Sequence, residues 1–204
     1  MPNVNMAELR SSLKSCVRFC RSHDDRDYCQ RHLPILEKAL HDLQESTRET
    51  DEYFTEWRRE QREEKQSWKA LAKGLREAQD ELDRVNAFGY PDKRVMYWDE
   101  EILTDAVENM IAYLEEHSED LEFAADLAGK LERRLEKAQG EDRQQSDALR
   151  HYQRKVKKRS DAMGGAAQVI GDFRELLRDE LGVDDSEYQQ IRWPYGISPD
   201  EKTF

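Results

Sequence analysis

The sequence predicts an all-α protein, and three observations support this prediction. Charged residues make up 38% of the 204-residue chain and hydrophobic residues 37%, a balance typical of helices that bury one narrow apolar stripe. Apolar residues recur at alternating spacings of three and four along two long segments. Glycine and proline are scarce within those segments. We therefore expect a long antiparallel coiled-coil helical hairpin with a short N-terminal helix, and a four-helix bundle is the alternative.

Residues 1–25 are predicted to form the N-terminal helix. Its apolar stripe ends near His23, where the polar stretch 22–27 favours a corner. The stripe consists of Met6, Leu9, Leu13, Cys16, Cys20 and His23.

The helical hairpin is predicted to cover residues 26–182, and its first helix residues 33–87. Pro34 fits the first turn of that helix, where a missing N–H costs little. The heptad seam begins at Leu36 and ends at Val85. At a rise of about 1.5 Å per residue this helix would be roughly 80 Å long, so we expect a rod. Within the seam, Gln61 and Glu64 form a polar layer that would fix the register.

The chain is predicted to turn over residues 88–98 and to continue as a second long helix over residues 99–181. Gly89 can supply a left-handed helix cap, and Asp99 can cap the incoming helix. The second seam keeps its phase across Gly140 and across Gly164-Gly165, which favours a continuous helix. A break at Gly140 would instead give the four-helix bundle.

Folding the chain about this turn predicts which residues face each other. Leu40 and Leu43 would face the polar Gln145 and Asp142, so the N-terminal helix is expected to cover these leucines. The second helix would also outrun the first beyond Leu149. That overhang would expose four apolar residues, and homodimerisation is the simplest way to cover them. The four are Val156, Met163, Ile170 and Phe173.

Residues 183–204 are predicted to form a tail without heptads. Pro194, Gly196 and Pro199 exclude a long helix. The aromatic and apolar side chains of the tail give it something to bury, so we expect it to dock.

Charge and cysteine content limit the possible partners and compartments. The net charge of −12 opposes general attraction to nucleic acid or anionic lipid. No secretory signal pattern and no membrane-spanning apolar run is present in the sequence. An odd number of cysteines, all three before residue 30, fits a reducing compartment. The expected location is the cytoplasm.

One group of residues near the N-terminus has the chemistry of a zinc site. Thiolates and imidazoles hold zinc tetrahedrally, but the spacing here is not a standard one. Several of these residues also fall on the core stripe of the first helix, so packing is the favoured interpretation and no metal is expected. The candidates are Cys16, Cys20, His23, Cys29 and His32.

A basic run over residues 150–159 could bind phosphate on this otherwise acidic chain. A solvated or protein-pairing face is the favoured interpretation, because the charges fan around several sides of a helix. Its basic residues are Arg150, Arg154, Lys155, Lys157, Lys158 and Arg159.

Aromatic residues around the predicted turn and in the tail are candidates for partner binding, although those at the turn could equally seal the core. They are Phe88, Tyr90, Tyr97, Trp98, Trp193 and Tyr195.

No catalytic or cofactor motif is present, so the sequence predicts a non-enzymatic structural or adaptor protein that self-associates and binds a protein partner. The alternatives are membrane-surface or nucleic-acid binding through the basic run, and a metal or redox module built on the N-terminal Cys and His residues.

Overall fold

The computed structural model describes residues 5–92 and 95–194, and it confirms the all-α prediction. This part of the chain contains no strand and five helices. They are α1 (Met6–Ser22), α2 (Asp27–Arg84), α3 (Glu100–Glu116), α4 (Ala124–Leu181) and α5 (Ser186–Gln190). The two long helices, α2 and α4, have 58 residues each and pack against each other in antiparallel fashion.

The chain divides into two compact units. Unit 1 consists of Met1–Tyr53 with Tyr152–Phe204, and unit 2 consists of Phe54–His151. Because α2 and α4 each cross these boundaries, each contributes one half to each unit. Unit 1 adds α1 and α5 to those halves, whereas unit 2 adds α3.

The core of unit 1 confirms that the N-terminal helix covers the leucines of the first long helix. Asn5 caps α1, since its side chain accepts a hydrogen bond from the Ala7 N–H at 3.0 Å. Leu9 and Leu13 are buried in the same cluster as Leu43. The cluster also contains Cys16, Val17, Phe19, Cys20, Cys29, Leu36, Ala166, Ile170, Phe173, Leu177, Tyr188 and Ile191.

The tail docks on unit 1 as far as residue 194. Tyr188 and Ile191 are buried in the unit 1 core, and the backbone N–H of Arg192 donates to Ser15 Oγ at 3.2 Å. Glu187 forms an ion pair with Arg26 at 2.8 Å. These contacts confirm that the tail docks, over the residues up to 194 that the structure describes.

Unit 2 is built on an apolar cluster shared by α2, α3 and α4. Trp68, Leu71, Leu75 and Leu82 on α2 are 4% exposed or less. From α3 come Leu103, Ala106, Val107, Met110 and Leu114, and from α4 come Ala124, Ala128, Leu131, Leu135 and Ala138. Almost all of these residues lie on the two predicted heptad seams, so the seams do mark the buried faces.

The predicted second helix is in fact two helices, since the chain leaves the helical conformation over residues 117–123. The continuity across Gly140 and Gly164-Gly165 is confirmed, and the alternative break at Gly140 is wrong. Like charges weaken a continuous helix at this point by about 0.2–0.5 kcal/mol per pair. Glu115 with Glu119 and Glu116 with Asp120 would stand one turn apart on one helix face, at a C-terminal end with no basic residue in its last turn.

The first long helix begins at Asp27, earlier than predicted, so Pro34 lies inside the helix and not in its first turn. Cys29 and Leu36 are both fully buried in the unit 1 core. Their burial supplies the free energy that holds the extra turns in helical form despite the hydrogen bond lost at Pro34.

The break at 117–123 also changes the register that the sequence predicted. Asp142 lies beside Glu64 and not opposite Leu43, and Lys158 forms an ion pair with Glu49. The predicted overhang after Leu149 therefore does not exist. Ile170 and Phe173 are fully buried in unit 1, and that argument for homodimerisation is lost.

Residues 85–92 and 95–99 run back over α2 instead of forming a compact turn; we call them the crossing segment. Asn86, with φ of +51°, supplies the left-handed cap of α2 in place of Gly89, and the Ala87 N–H bonds to the Leu82 carbonyl. The Gln79 side chain then donates to the Pro91 carbonyl at 3.0 Å, and Val95 is buried in the unit 2 core. Helix α3 follows directly after Asp99 as predicted, although the Asp99 side chain makes no capping hydrogen bond.

Among the helices of residues 5–92 and 95–194, none combines the length and the apolar character that crossing a bilayer requires.

Candidate functional site

The three cysteine thiols near the N-terminus pack in the core of unit 1. Cys16, Cys20 and Cys29 are 1% exposed or less and form no disulfide. Burial raises the pKa of Cys16 to about 12 and also raises the pKa of Cys20 and Cys29. Thiols in this state are poor nucleophiles at neutral pH.

The two histidines of the predicted zinc group are engaged elsewhere. His23 Nδ1 lies 3.0 Å from the Phe19 carbonyl and its Nε2 lies 3.4 Å from Glu187. His32 Nδ1 lies 2.9 Å from the carbonyl of Tyr28. In the described part of the chain, no three of the five predicted ligands bring their ligand atoms within 4.8 Å of one another. The packing interpretation is therefore the one that the geometry favours.

Acidic residues within the protein neutralise part of the basic run. Lys155 and Lys158 both form ion pairs with Glu49 of α2, at 3.4 and 2.9 Å. The hydrogen bond from Lys158 lowers the pKa of Glu49, as expected for a carboxylate held between two ammonium groups. Arg150 pairs with Asp147 at 3.2 Å. Arg154 and Lys157 are exposed and Arg159 is partly exposed, so fewer charges face solvent than the sequence count suggests.

The predicted partner-binding aromatics divide into exposed and packed side chains. Phe88 is 88% exposed and Trp98 is 65% exposed. In contrast, Tyr90 and Tyr97 pack against the unit 2 core. Tyr90 donates a hydrogen bond to Asp83, and this bond raises the pKa of Tyr90 to about 12. The crossing segment thus uses two of its aromatics to hold its position and leaves two on the surface.

The tail aromatics are only partly described. Trp193 is partly buried beside the core of unit 1, with its ring 5.5 Å from Tyr188 and under the Arg174 guanidinium. It therefore serves the docking of the tail within the chain. Tyr195 lies outside the described residues.

An acidic layer inside unit 2 was only partly visible in the sequence. It contains two carboxylate triads, and within each triad the ligand oxygens lie within 4.8 Å of one another. The first triad is Glu60, Glu63 and Glu141, and the second is Glu64, Glu100 and Asp142. The seam signalled Glu64 and Asp142 as polar positions. Glu60, Glu63 and Glu141 lie off the seam, and no sequence signal singled them out.

The second triad holds a proton more tightly than ordinary carboxylates do. Burial, followed by the charge of Glu100, raises the pKa of Glu64 to about 6. Burial and the charge of Asp142 also raise the pKa of Glu100. The ligand oxygens of the triad lie within 4.8 Å of one another, so the neighbouring charge of Glu100 favours the protonated form of Glu64.

No protein-family model matches this chain, and comparison with curated proteins and with solved structures found no significant match. The class that the structure defines is an all-α protein in which two long helices pack together and, within the described residues, three shorter helices add to them.

Proposed function

We propose that this protein is a non-enzymatic structural or adaptor protein that self-associates and binds protein partners through its crossing segment. One observation supports this function above all. Five of the eight large hydrophobic side chains exposed in the described part lie between residues 85 and 102. They are Val85, Phe88, Met96 and Trp98 in the crossing segment and Ile102 in the first turn of α3.

Scattered surface hydrophobics are normal, but a concentration of them in one segment is typical of an interaction surface. Trp is enriched among the residues that dominate binding energy, because a large ring buries much apolar area and loses little conformational entropy. Trp98 therefore serves as one anchor, close to Met96 in the chain, and Phe88 as a second anchor near Tyr113 at the other end of the crossing segment.

The crossing segment is also held in place before any partner binds. The Gln79 bond to Pro91, the Tyr90 bond to Asp83 and the burial of Val95 fix its backbone. Such preorganisation lowers the entropy that binding would otherwise cost.

The cysteines suggest the compartment in which the protein acts. Three free, buried thiols are consistent with a reducing compartment, so we propose the cytoplasm as its location.

The test is the mass of the full chain by size-exclusion chromatography with light scattering, over a range of micromolar concentrations. We expect a dimer in the wild type and a monomer in Trp98→Ala and Phe88→Ala. Met96→Ser and Ile35→Ser form a matched pair, because these side chains are 50% and 49% exposed and only Met96 lies in the segment. Met96→Ser should weaken association and Ile35→Ser should not. A monodisperse wild-type monomer throughout the range would contradict self-association.

A further inference from the structure

From the acidic layer of unit 2, we infer a binding site for a divalent metal cation, with Glu60, Glu63 and Glu141 as its protein ligands. This inference does not depend on the proposed interaction surface. It rests on the placement of three carboxylates and on two buried oxygen atoms that have no hydrogen-bond donor.

The first step concerns Glu60, which is 7% exposed and buried on α2. Its Oε1 accepts from the Arg59 guanidinium, but its Oε2 is buried and has no hydrogen-bond partner. A buried carboxylate oxygen without a donor is costly, because it has given up water and gained nothing in return. Such an atom is rare in native proteins, and a bound cation would satisfy it.

The second step concerns Glu141, which reaches the same place from α4. Its Oε2 is also buried and without a partner. Glu60 and Glu141 belong to one triad, whose ligand oxygens lie within 4.8 Å of one another. Oxygens bound to one calcium ion at about 2.4 Å stand no more than about 4.8 Å apart, so the spacing of the triad fits a shared cation.

The third step concerns charge. Arg59 lies 3.9 Å from Glu63 as well as contacting Glu60, so one exposed guanidinium serves two of the three carboxylates. A groove of about 310 Å³ beside the triad is lined by Glu63 and Glu141 and also by the cations Arg134 and Lys137. Arg134 is paired with Glu77 at 2.9 Å. None of these cations donates to the two unpartnered oxygens.

The ligand set indicates the chemical class of the ion. All three ligands are carboxylates, and hard cations such as Ca²⁺, Mg²⁺ and Mn²⁺ prefer oxygen ligands. The groove gives solvent access to Glu63 and Glu141, so water molecules can complete the coordination. The second triad differs, because none of its carboxylate oxygens is among the buried side-chain atoms that lack a hydrogen-bond partner in the described part of the chain. We therefore assign the ion to the first triad.

The experiment is isothermal titration calorimetry of the full chain after removal of metals with a chelator. Ca²⁺, Mg²⁺ and Mn²⁺ are each titrated separately to about 10 mM, above the weakest affinities of protein calcium sites. We expect saturable binding of at least one of these cations. Glu60→Gln and Glu141→Gln should weaken it by about tenfold or more, a loss on the scale seen when metal-site residues are removed.

Three further variants keep the test decisive. Glu60 is buried, so Glu60→Gln could disturb the fold as well as the site. Glu63 is an exposed ligand, so Glu63→Gln should weaken binding and leave the fold intact. Glu136→Gln removes the same charge from an exposed position on α4 and should leave affinity unchanged. Glu64→Gln should also retain binding. The inference is overturned if no cation binds saturably, if Glu136→Gln weakens binding as much as Glu141→Gln, or if Glu64→Gln alone abolishes it.

Discussion

Unit 1 and unit 2 use opposite halves of the same two long helices, yet their interiors differ in chemistry. Unit 1 closes its core with α1 and the docked tail, and it buries three thiols and the ring of Phe173. Unit 2 closes its core with α3 and contains an acidic layer beside its apolar cluster. The difference follows from the seams. Apolar positions from several helices meet in both cores, and in unit 2 the polar seam positions Glu64 of α2 and Asp142 of α4 also meet.

The largest effects should come from cavities in either apolar cluster. Phe173→Ala in unit 1 and Leu131→Ala in unit 2 should each lower the free energy of unfolding by about 2–5 kcal/mol, because both side chains are almost completely buried. The measurement is equilibrium unfolding in urea. Ile35→Ala, at a position 49% exposed, is the control and should change it by less than about 1 kcal/mol.

Native-state hydrogen exchange extends this comparison to the level of each unit. If the two cores open separately, Phe173→Ala should speed exchange of α1 amides and leave those of α3 unchanged. Equal acceleration in both helices would show that the cores open as one.

The next effect should be a pH dependence that arises in unit 2. The pKa of Glu64 is about 6 in the folded protein, above its ordinary value of 4.5, so the folded state holds this proton more tightly than the unfolded state. The resulting stability is complete below pH 4.5 and is lost as pH rises through about 6. Urea midpoints measured with a chelator present should therefore fall over this range.

Glu64→Gln should remove this fall of the urea midpoint with pH, since glutamine does not titrate. Glu77→Gln is the informative control. The hydrogen bond from Arg134 lowers the pKa of Glu77, so its contribution is present above pH 4.5 and is lost as pH falls. Glu77→Gln should therefore leave the fall of the urea midpoint that arises from Glu64 unchanged. An unchanged slope in Glu64→Gln would assign the pH dependence to another group.

The smallest effects should come from glycines on α4, which lies in both units. A Cβ at Gly140 in unit 2 or at Gly164 in unit 1 would meet nothing within 4 Å. Gly140→Ala and Gly164→Ala should each raise the free energy of unfolding by about 0.5–1 kcal/mol. Gly182→Ala should lower it by about 1 kcal/mol, because Gly182 ends the helix with φ of +86°. Thermal unfolding of the three variants checks whether stability rises in the first two and falls in the third.

The sequence predicted the helical class, the end of α1 and the continuity of α4 through its glycines, because heptad phase reports buried faces directly. It missed the break at 117–123, where neither glycine nor proline stands in the sequence. That miss shifted the register, so Glu64 and Asp142 were not recognised as neighbours. Side chains such as Glu60 and Glu141, which meet only in three dimensions, cannot be paired until the register is known.

The division of the chain also sets an order of assembly. All of unit 2 comes from one continuous stretch, Phe54–His151, so its contacts are local and its helices can pair as soon as that stretch has left the ribosome. Unit 1 joins the two ends of the chain, and Leu9 and Leu13 share their core with Ile170 and Phe173. During synthesis, the apolar face of α1 must therefore wait, open to chaperones, until residues 166–191, which complete its core, have been added.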